Sequence, residues 1–343
     1  GVAYPYTDRP EDIEAAKKVY FGFYNPIDNW TWNVSWFSDP VFLGHYPAEG
    51  LKKFAPYLPK ITQEDMELIY QPLDFMGQNI YNGYYVRAGK DGEPEFVDRA
   101  PGFPRTANNW PITPRAFYYG IKFLTERYPL PLYITENGMA CHDTVGSDGR
   151  VHDTDRINFL DSYIGAMQKA YEEGANIKGY FLWTFLDNFE WTEGYKDRFG
   201  IVYVDFQTQR RIVKDSALWY QKVMETNGGS LSMNQTTKEI LFLNPVCTHN
   251  IWGGTRLREE FGYPVEGDDI GECWGVSAHP NGDGTIREGS FAGEKLSKVY
   301  KDHPELFGNL SYDRFPLLTK IIDAKADLSI QVHPDDAYAK VHE

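Results

Sequence analysis

The chain has 343 residues, 42% hydrophobic and 24% charged, which is enough apolar material for one large domain or two smaller ones. That composition argues against wholesale disorder, and no run reaches the roughly 18 apolar residues of a membrane-spanning helix. A formal net charge of −15 argues against nucleic acid as a partner, because phosphate binding needs a basic patch.

The three cysteines, Cys141, Cys247 and Cys273, are odd in number and far apart in sequence. They suggest neither a disulfide framework nor a CxxC metal pair, and they favour a reducing compartment, so a cytoplasmic location is expected. No signal peptide is visible, and since the first residue is Gly1 rather than Met, the missing leader carries little weight. Aromatic residues make up 16% of the chain, and seven of the nine Trp lie before residue 230. Flat rings with a polar edge suit sugar faces, although they also fill large cores.

Helical spacing of Ile13, Ala16, Lys17 and Tyr20 follows Pro10, with Asp8 as the expected cap. Thr62 precedes a second helical run, with Asp65 in the place of a capping-box acid. Thr113-Pro114 starts a helix through Phe117, Ile121 and Leu124 that Pro129 stops. Leu132 to Thr135 reads as a buried strand, and a helix over about 156–173 follows, with Phe159, Tyr163, Met167 and Tyr171 on one stripe and Gly174 as its stop. Gly179 to Phe185 is a second buried strand, doubly apolar as in a parallel sheet covered on both faces. Ser216 is the expected cap of a last helix through Tyr220 and Val223. This alternation is the order of an α/β fold, either barrel or doubly wound.

The character changes at the Gly/Ser stretch 227–232, and a linker is expected over 229–233. Beyond it, strand-like runs over 273–278 and 284–287 flank Pro280-Asn281-Gly282-Asp283, a hairpin signal. A helix within 293–301 and strands over 317–322 and 328–333 complete this second, β-rich piece.

Glu136 directly follows a buried strand, the position at which α/β barrels place catalytic groups. Asp187-Asn188-Phe189-Glu190-Trp191 follows the next strand, and Asn79-Ile80-Tyr81 ends an earlier apolar run. Carboxylate, amide and aromatic groups at three strand ends make a ring of sugar-compatible chemistry.

On these residues, positions 1–228 resemble the C-terminal half of a family 1 glycoside hydrolase, the β-glucosidase type of (β/α)8 barrel. The matching stretches are AYPYTDRPEDIEAA, WFSDPVFLGHYP, DFMGQNIYNGYYV, LYITENG, FLWTFLDNFEWTEGY and RFGIVYVDF. The resemblance implies retaining hydrolysis, in which one carboxylate attacks the anomeric carbon and a second, about 5–5.5 Å away, protonates the leaving oxygen. It makes Glu136 the nucleophile and Tyr81 the phenol that holds it. Glu190 would bind two sugar hydroxyls and Trp183 would form the stacking floor. Trp191 would bond a hydroxyl through its indole, Trp110 would line the leaving-group side, and Asn79 and Phe199 join the substrate contacts. A carboxylate at Glu190 would repel a phosphate, so unphosphorylated β-glucosides or β-galactosides are the expected substrates, with no cofactor. The family's Asn-Glu-Pro acid/base motif and its early Gln and His-Trp contacts are absent from this sequence, which begins near the end of the fifth barrel strand. A nucleophile without its acid loses about 10²–10⁴-fold, so this chain is expected to be nearly inactive, and the open barrel edges are expected to promote self-association.

In Ser329-Ile330-Gln331-Val332-His333, polar and apolar residues alternate, so Ser329, Gln331 and His333 share one strand face. From Met233 onward the chain resembles the N-terminal third of a type I mannose-6-phosphate isomerase, a zinc enzyme of cupin fold. The stretches are NPVCTHNIWGGTRL, GECWGVSAHPNG and RFPLLTKIIDAKADLSIQVHPDD. Met233 falls where such a protein would start, which suggests two joined reading frames. The resemblance implies Gln331 and His333 as zinc ligands, Lys320 and Ser329 near a substrate phosphate, and Trp252 near the pocket. The remaining ligands would lie beyond Glu343, so zinc is expected to be weakly held or absent. The expected fold is thus a partial TIM barrel followed by an incomplete cupin-like domain. The readings are a β-glycosidase, a sugar-phosphate isomerase, or a fused fragment without catalysis; the expected partner is a small β-glycoside or sugar phosphate.

Overall fold

The computed structural model describes residues 1–23, 33–231, 240–328, 335, 338 and 341. The chain divides into two compact units, Gly1–Glu239 and Ile240–Glu343. The stretch read as a linker over 229–233 precedes that division, and its residues 232 and 233 lie outside the described residues.

The first unit opens with β1 (Val2–Pro5) and α1 (Pro10–Phe21). Pro10 suits the first helical turn, where its missing N–H has no partner to lose. The expected cap, Asp8, instead accepts hydrogen bonds from Arg115 (2.6 Å) and Tyr119 (2.8 Å), and Arg9 takes the capping position. Helices α2 (Val34–Phe42) and α3 (Ala48–Phe54) follow, and the Asn33 side chain caps α2 by accepting from the Ser35 and Trp36 amides. The expected capping box opens α4 (Gln63–Ile69): Thr62 Oγ1 accepts from the Asp65 amide and Asp65 Oδ2 from the Thr62 amide.

Next come β2 (Met76–Asn79), β3 (Gly83–Ala88), β4 (Pro94–Val97), α5 (Pro114–Arg127), β5 (Leu132–Asn137) and α6 (Thr154–Glu172). The unit ends with β6 (Ile177–Leu182), β7 (Val202–Val204), β8 (Arg211–Val213) and α7 (Asp215–Glu225). The strand expected to reach Phe185 therefore ends three residues sooner, and Ser216 lies inside α7, where its hydroxyl donates to Asp153 at 2.5 Å.

Strands β2, β5 and β6 form a parallel sheet with β5 in the centre, while β3 pairs parallel with β1 and antiparallel with β4. Parallel neighbours need a crossover, and α6 supplies the one from β5 to β6. Phe117, Ile121 and Leu124 of α5 and Phe159, Leu160 and Tyr163 of α6 join Leu132 and Ile134 of β5 in one buried core. Each such apolar side chain contributes about 1.5–3 kcal/mol on burial. Phe75, Phe181 and Phe185 remain 51%, 57% and 66% exposed around the two edge strands, β2 and β6.

The second unit is β-rich: β9 (Leu243–Asn244), β10 (Val246–Gly254), α8 (Arg256–Glu259), β11 (Ile270–His279), β12 (Gly282–Asp283), β13 (Thr285–Ile286), α9 (Leu296–Asp302) and β14 (Leu318–Ile322). β11 pairs antiparallel with both β10 and β14. The hairpin is tighter than the sequence suggests, because Gly282 and Asp283 already pair back onto β11, and β13 pairs with β9 instead. Ser329, Gln331 and His333 lie outside the described residues, as does most of the strand expected over 328–333.

Gly138, just past β5, has a packing requirement that decides its identity. A Cβ there would sit 1.7 Å from the Trp183 carbonyl oxygen, a backbone atom that cannot rotate away. Gly138→Ala is expected to cost about 2–3 kcal/mol, read as an earlier midpoint in urea unfolding followed by tryptophan fluorescence.

Candidate functional site

Glu136 stands one residue from the end of β5, in register with Asn79 of β2. Its backbone carbonyl accepts from the Ile80 amide at 3.1 Å, so the pairing continues to the last residue before Tyr81. The Tyr81 hydroxyl donates to Glu136 Oε2 at 2.9 Å. Two core groups hold this corner. Tyr163 of α6 donates to the Tyr81 carbonyl at 3.0 Å, and Asn137 donates to the Ile80 carbonyl at 2.8 Å while accepting from Tyr180 at 2.7 Å. Burial pushes the Tyr81 phenol well above its ordinary value, and the hydrogen bond to Glu136 and the charges of Glu136 and Glu190 push it further. Tyr81 is therefore a permanent donor to the carboxylate at neutral pH.

The Trp183 indole N–H donates to Glu190 Oε1 at 3.1 Å. Burial raises the Glu190 carboxyl above its ordinary value, the charges of Glu136 and Asp197 add to this, and hydrogen bonds from Trp183 and Asn188 oppose it. Glu190 thus feels Glu136 and acts on Tyr81, so Glu136, Tyr81, Trp183 and Glu190 form one electrostatic cluster. Trp110 meets the Tyr81 ring edge-on at 5.2 Å, and its own ring lies 6.1 Å from that of Phe199, which is only 4% exposed. Asn79 accepts from the Thr135 hydroxyl at 2.6 Å. Trp191 stands 83% exposed at the start of a short turn.

A buried ion network, which the sequence reading missed, anchors the loop that carries Glu190 and Trp191. Asp187 accepts from Lys214 at 2.9 Å, Arg198 at 2.6 Å and the Gly200 amide at 3.0 Å. Lys214 also reaches Asp143 at 2.6 Å, and Arg156 donates to the same carboxylate at 2.7 Å. Burial pushes the Asp143 carboxyl up, but Arg156 and Lys214 outweigh it and hold the group below the usual carboxylate range. Charges this deep persist only when paired, which fixes the loop's path. Nothing in local spacing relates Asp143, Asp187 and Lys214, and the only sequence signal was the position of Asp187 three residues before Glu190.

In the second unit, Lys320 of β14 lies opposite Trp274 of β11, and its ammonium donates to Glu272 Oε1 at 2.8 Å. The Trp274 indole donates to the other oxygen of Glu272 at 2.7 Å. Trp252 lies half-buried on β10. Among the described residues no group of three or more His, Cys, Asp or Glu side chains is arranged to hold a metal ion.

Residues 2–229 match the family model described as glycosyl hydrolase family 1. The chain belongs to glycosyl hydrolase family 1. Residues 240–343 match the model of the phosphomannose isomerase type I catalytic domain, so the two units carry different family signatures. Beta-glucosidase A of Thermotoga maritima is 44% identical over 227 residues, covering 65% of this chain and 48% of that protein. A beta-glucosidase of Agrobacterium is 38% identical over 225 residues, covering 64% of this chain and 46% of its own length. The solved structure of beta-glucosidase from Thermotoga maritima in complex with glucoimidazole superposes with a TM-score of 0.54 at 43% identity, over 65% of this chain and 50% of that one. The family 1 chain thus spans about half the length of the relatives it matches. No helix among the described residues is long and apolar enough to cross a membrane.

The raised Glu190 carboxyl carries a stability signature. The folded family 1 unit holds a proton there that the unfolded chain releases, so stability falls as pH rises from the ordinary Glu value, about 4.3, through the folded one. Glu190→Gln is expected to remove that slope and to melt no earlier than the parent at neutral pH, checked by thermal melts at several pH values.

Proposed function

We propose that residues 1–228 are the C-terminal strands and helices of a (β/α)8 barrel and carry the nucleophile side of a retaining β-glycosidase site. The observation that carries this reading is the Tyr81 hydroxyl on Glu136 Oε2, at 2.9 Å, at the end of the central parallel strand. With Oε2 engaged, Oε1 attacks the anomeric carbon, the glycosidic C–O bond breaks, and a glycosyl ester forms on Glu136. Water then opens that ester and returns the carboxylate. Glu190, which accepts from the Trp183 indole, also accepts from sugar hydroxyls. Trp183 forms the stacking floor, Trp191 donates its indole N–H to a hydroxyl, and Trp110 lines the leaving-group side. Asn79 adds an amide group beside the nucleophile, and Phe199 supports Trp110.

The substrate class is an unphosphorylated β-glycoside, because Glu190 beside Glu136 gives the pocket a negative field that disfavours a phosphate. Related beta-glucosidase structures from Thermotoga maritima are complexes with glucoimidazole, deoxynojirimycin and isofagomine lactam, which supports a sugar-binding site here. The reaction as written requires no cofactor. The sequence holds no Asn-Glu-Pro motif to protonate a leaving oxygen, so turnover of ordinary glycosides by this chain is proposed to be very slow. The open edges at β2 and β6, with Phe75, Phe181 and Phe185 exposed, favour self-association.

A dinitrophenyl β-glucoside separates the two carboxylate roles, since dinitrophenolate leaves without protonation. The chain is expected to release a burst of dinitrophenolate and to gain one glucosyl group in mass on the peptide containing Glu136. Glu136→Gln is expected to lower the burst rate by at least about 100-fold. Absence of both burst and adduct in the parent chain overturns the reading.

The match over 240–343 supports a second reading, in which this unit is part of a cupin-like, zinc-dependent mannose-6-phosphate isomerase. Lys320 and Ser329 would then serve the substrate phosphate, Trp252 the pocket, and Gln331 and His333 the zinc. One amide and one imidazole are half of the usual four-ligand set, so the residues in this sequence do not close a zinc site and no step is derived through the metal. Equilibrium dialysis is expected to leave substoichiometric zinc on the chain; stoichiometric zinc that Gln331→Ala and His333→Ala both release would show a completed site.

A further inference from the structure

Cys247 of β10 and Cys273 of β11 are 26 residues apart in the chain and directly opposite each other across an antiparallel pair. Opposed residues in such a ladder have Cα atoms about 4.5 or 5.5 Å apart, and both spacings fall within the range of about 4.4–6.8 Å that a disulfide accepts. The Cys247 thiol donates to Cys273 Sγ at 2.9 Å, so the two sulfurs already face one another. Cys273 belongs to a small buried cluster with Leu257 and Ile270, and Cys247, Tyr263 and Val265 pack against it. A covalent link has most effect where a core is this small.

The thiols differ in access. Cys247 is half-buried and Cys273 buried, and burial, reinforced by Cys247, pushes the Cys273 thiol up to about 12. Cys247 is therefore the sulfur that a soluble oxidant meets first, and Cys273 the one that resolves the intermediate. Cys273 sits between Glu272 and Trp274, whose side chains form the cluster with Lys320, so a link here also pins the strand that carries them.

We propose that Cys247 and Cys273 are a redox-modification site that closes to a reversible cross-strand disulfide when a low-molecular-weight disulfide such as oxidised glutathione is in excess. The Cys247 thiolate attacks one glutathione sulfur, the glutathione S–S bond breaks, and one glutathione thiolate leaves. Cys273 gives its proton to solvent and attacks the Cys247 sulfur, expelling the second glutathione. The two protein thiols lose two electrons and two protons, and the glutathione disulfide, by gaining them, becomes two thiols.

The test treats the full chain with oxidised glutathione, quenches it in acid, and counts thiols after denaturation. Free thiols are expected to fall from the sequence total of three to one, with a mass lower by two hydrogens and a Cys247–Cys273 link in the non-reduced peptide map. Dithiothreitol is expected to restore all three. Cys141→Ser should still form the link, and neither Cys247→Ser nor Cys273→Ser should form any intramolecular link. An unchanged thiol count, a glutathione that stays on Cys247, or a bond between chains overturns the proposal, and the wild-type reaction alone decides it if a serine variant does not fold.

Discussion

In a parallel sheet, a slip of one residue turns every side chain of a strand to the opposite face. β5 resists such a slip from both sides, through β2 and β6, and through Asn137, whose amide joins the Ile80 carbonyl to the Tyr180 hydroxyl. Leu132 and Ile134 meanwhile commit one side of the strand to the core formed with α5 and α6. A register shift between Gln78 and Asn79, where two residues of β5 advance against one of β2, then sets Glu136 opposite Asn79 and within reach of Tyr81. Gly138 then lets the chain pass against the backbone of Trp183, bringing the loop with Glu190 close enough for its charge to be felt.

Bringing Glu136 and Glu190 together works against stability, because like charges repel. Burial first, and the charge of Glu136 after it, raise the Glu190 carboxyl. The fold offsets it with fixed donors, Tyr81 on Glu136 and Trp183 on Glu190, and with cations placed further back. Lys214 is fully buried between Asp143 and Asp187, and Arg198 and Arg156 close the network. These groups tie the loop to the body of the unit.

The second unit uses a different construction. Its central strand, β11, has partners on both sides, and its small apolar cluster is built around a cysteine. Lys320 and Glu272 are paired near the surface, where an ion pair contributes little to stability, about 0–1 kcal/mol.

Much was already legible in the sequence. The Thr62–Asp65 capping box, the helix start at Pro114, the buried strand before Glu136 and the α/β order all rest on interactions between near neighbours, whose spacing the sequence displays directly. Glu136, Tyr81 and Glu190 are legible because they fall where apolar runs stop, whereas Trp183 comes from the family resemblance alone. Tertiary structure decided what depends on groups distant in the chain. Asp8 became a partner of Arg115 rather than a helix cap, Ser216 turned to Asp153, and β13 left the expected hairpin for β9. Three cysteines that looked unrelated in sequence include two that meet across β10 and β11. Long-range pairing is set by which buried charges and strands find partners in three dimensions, and no local periodicity encodes that choice.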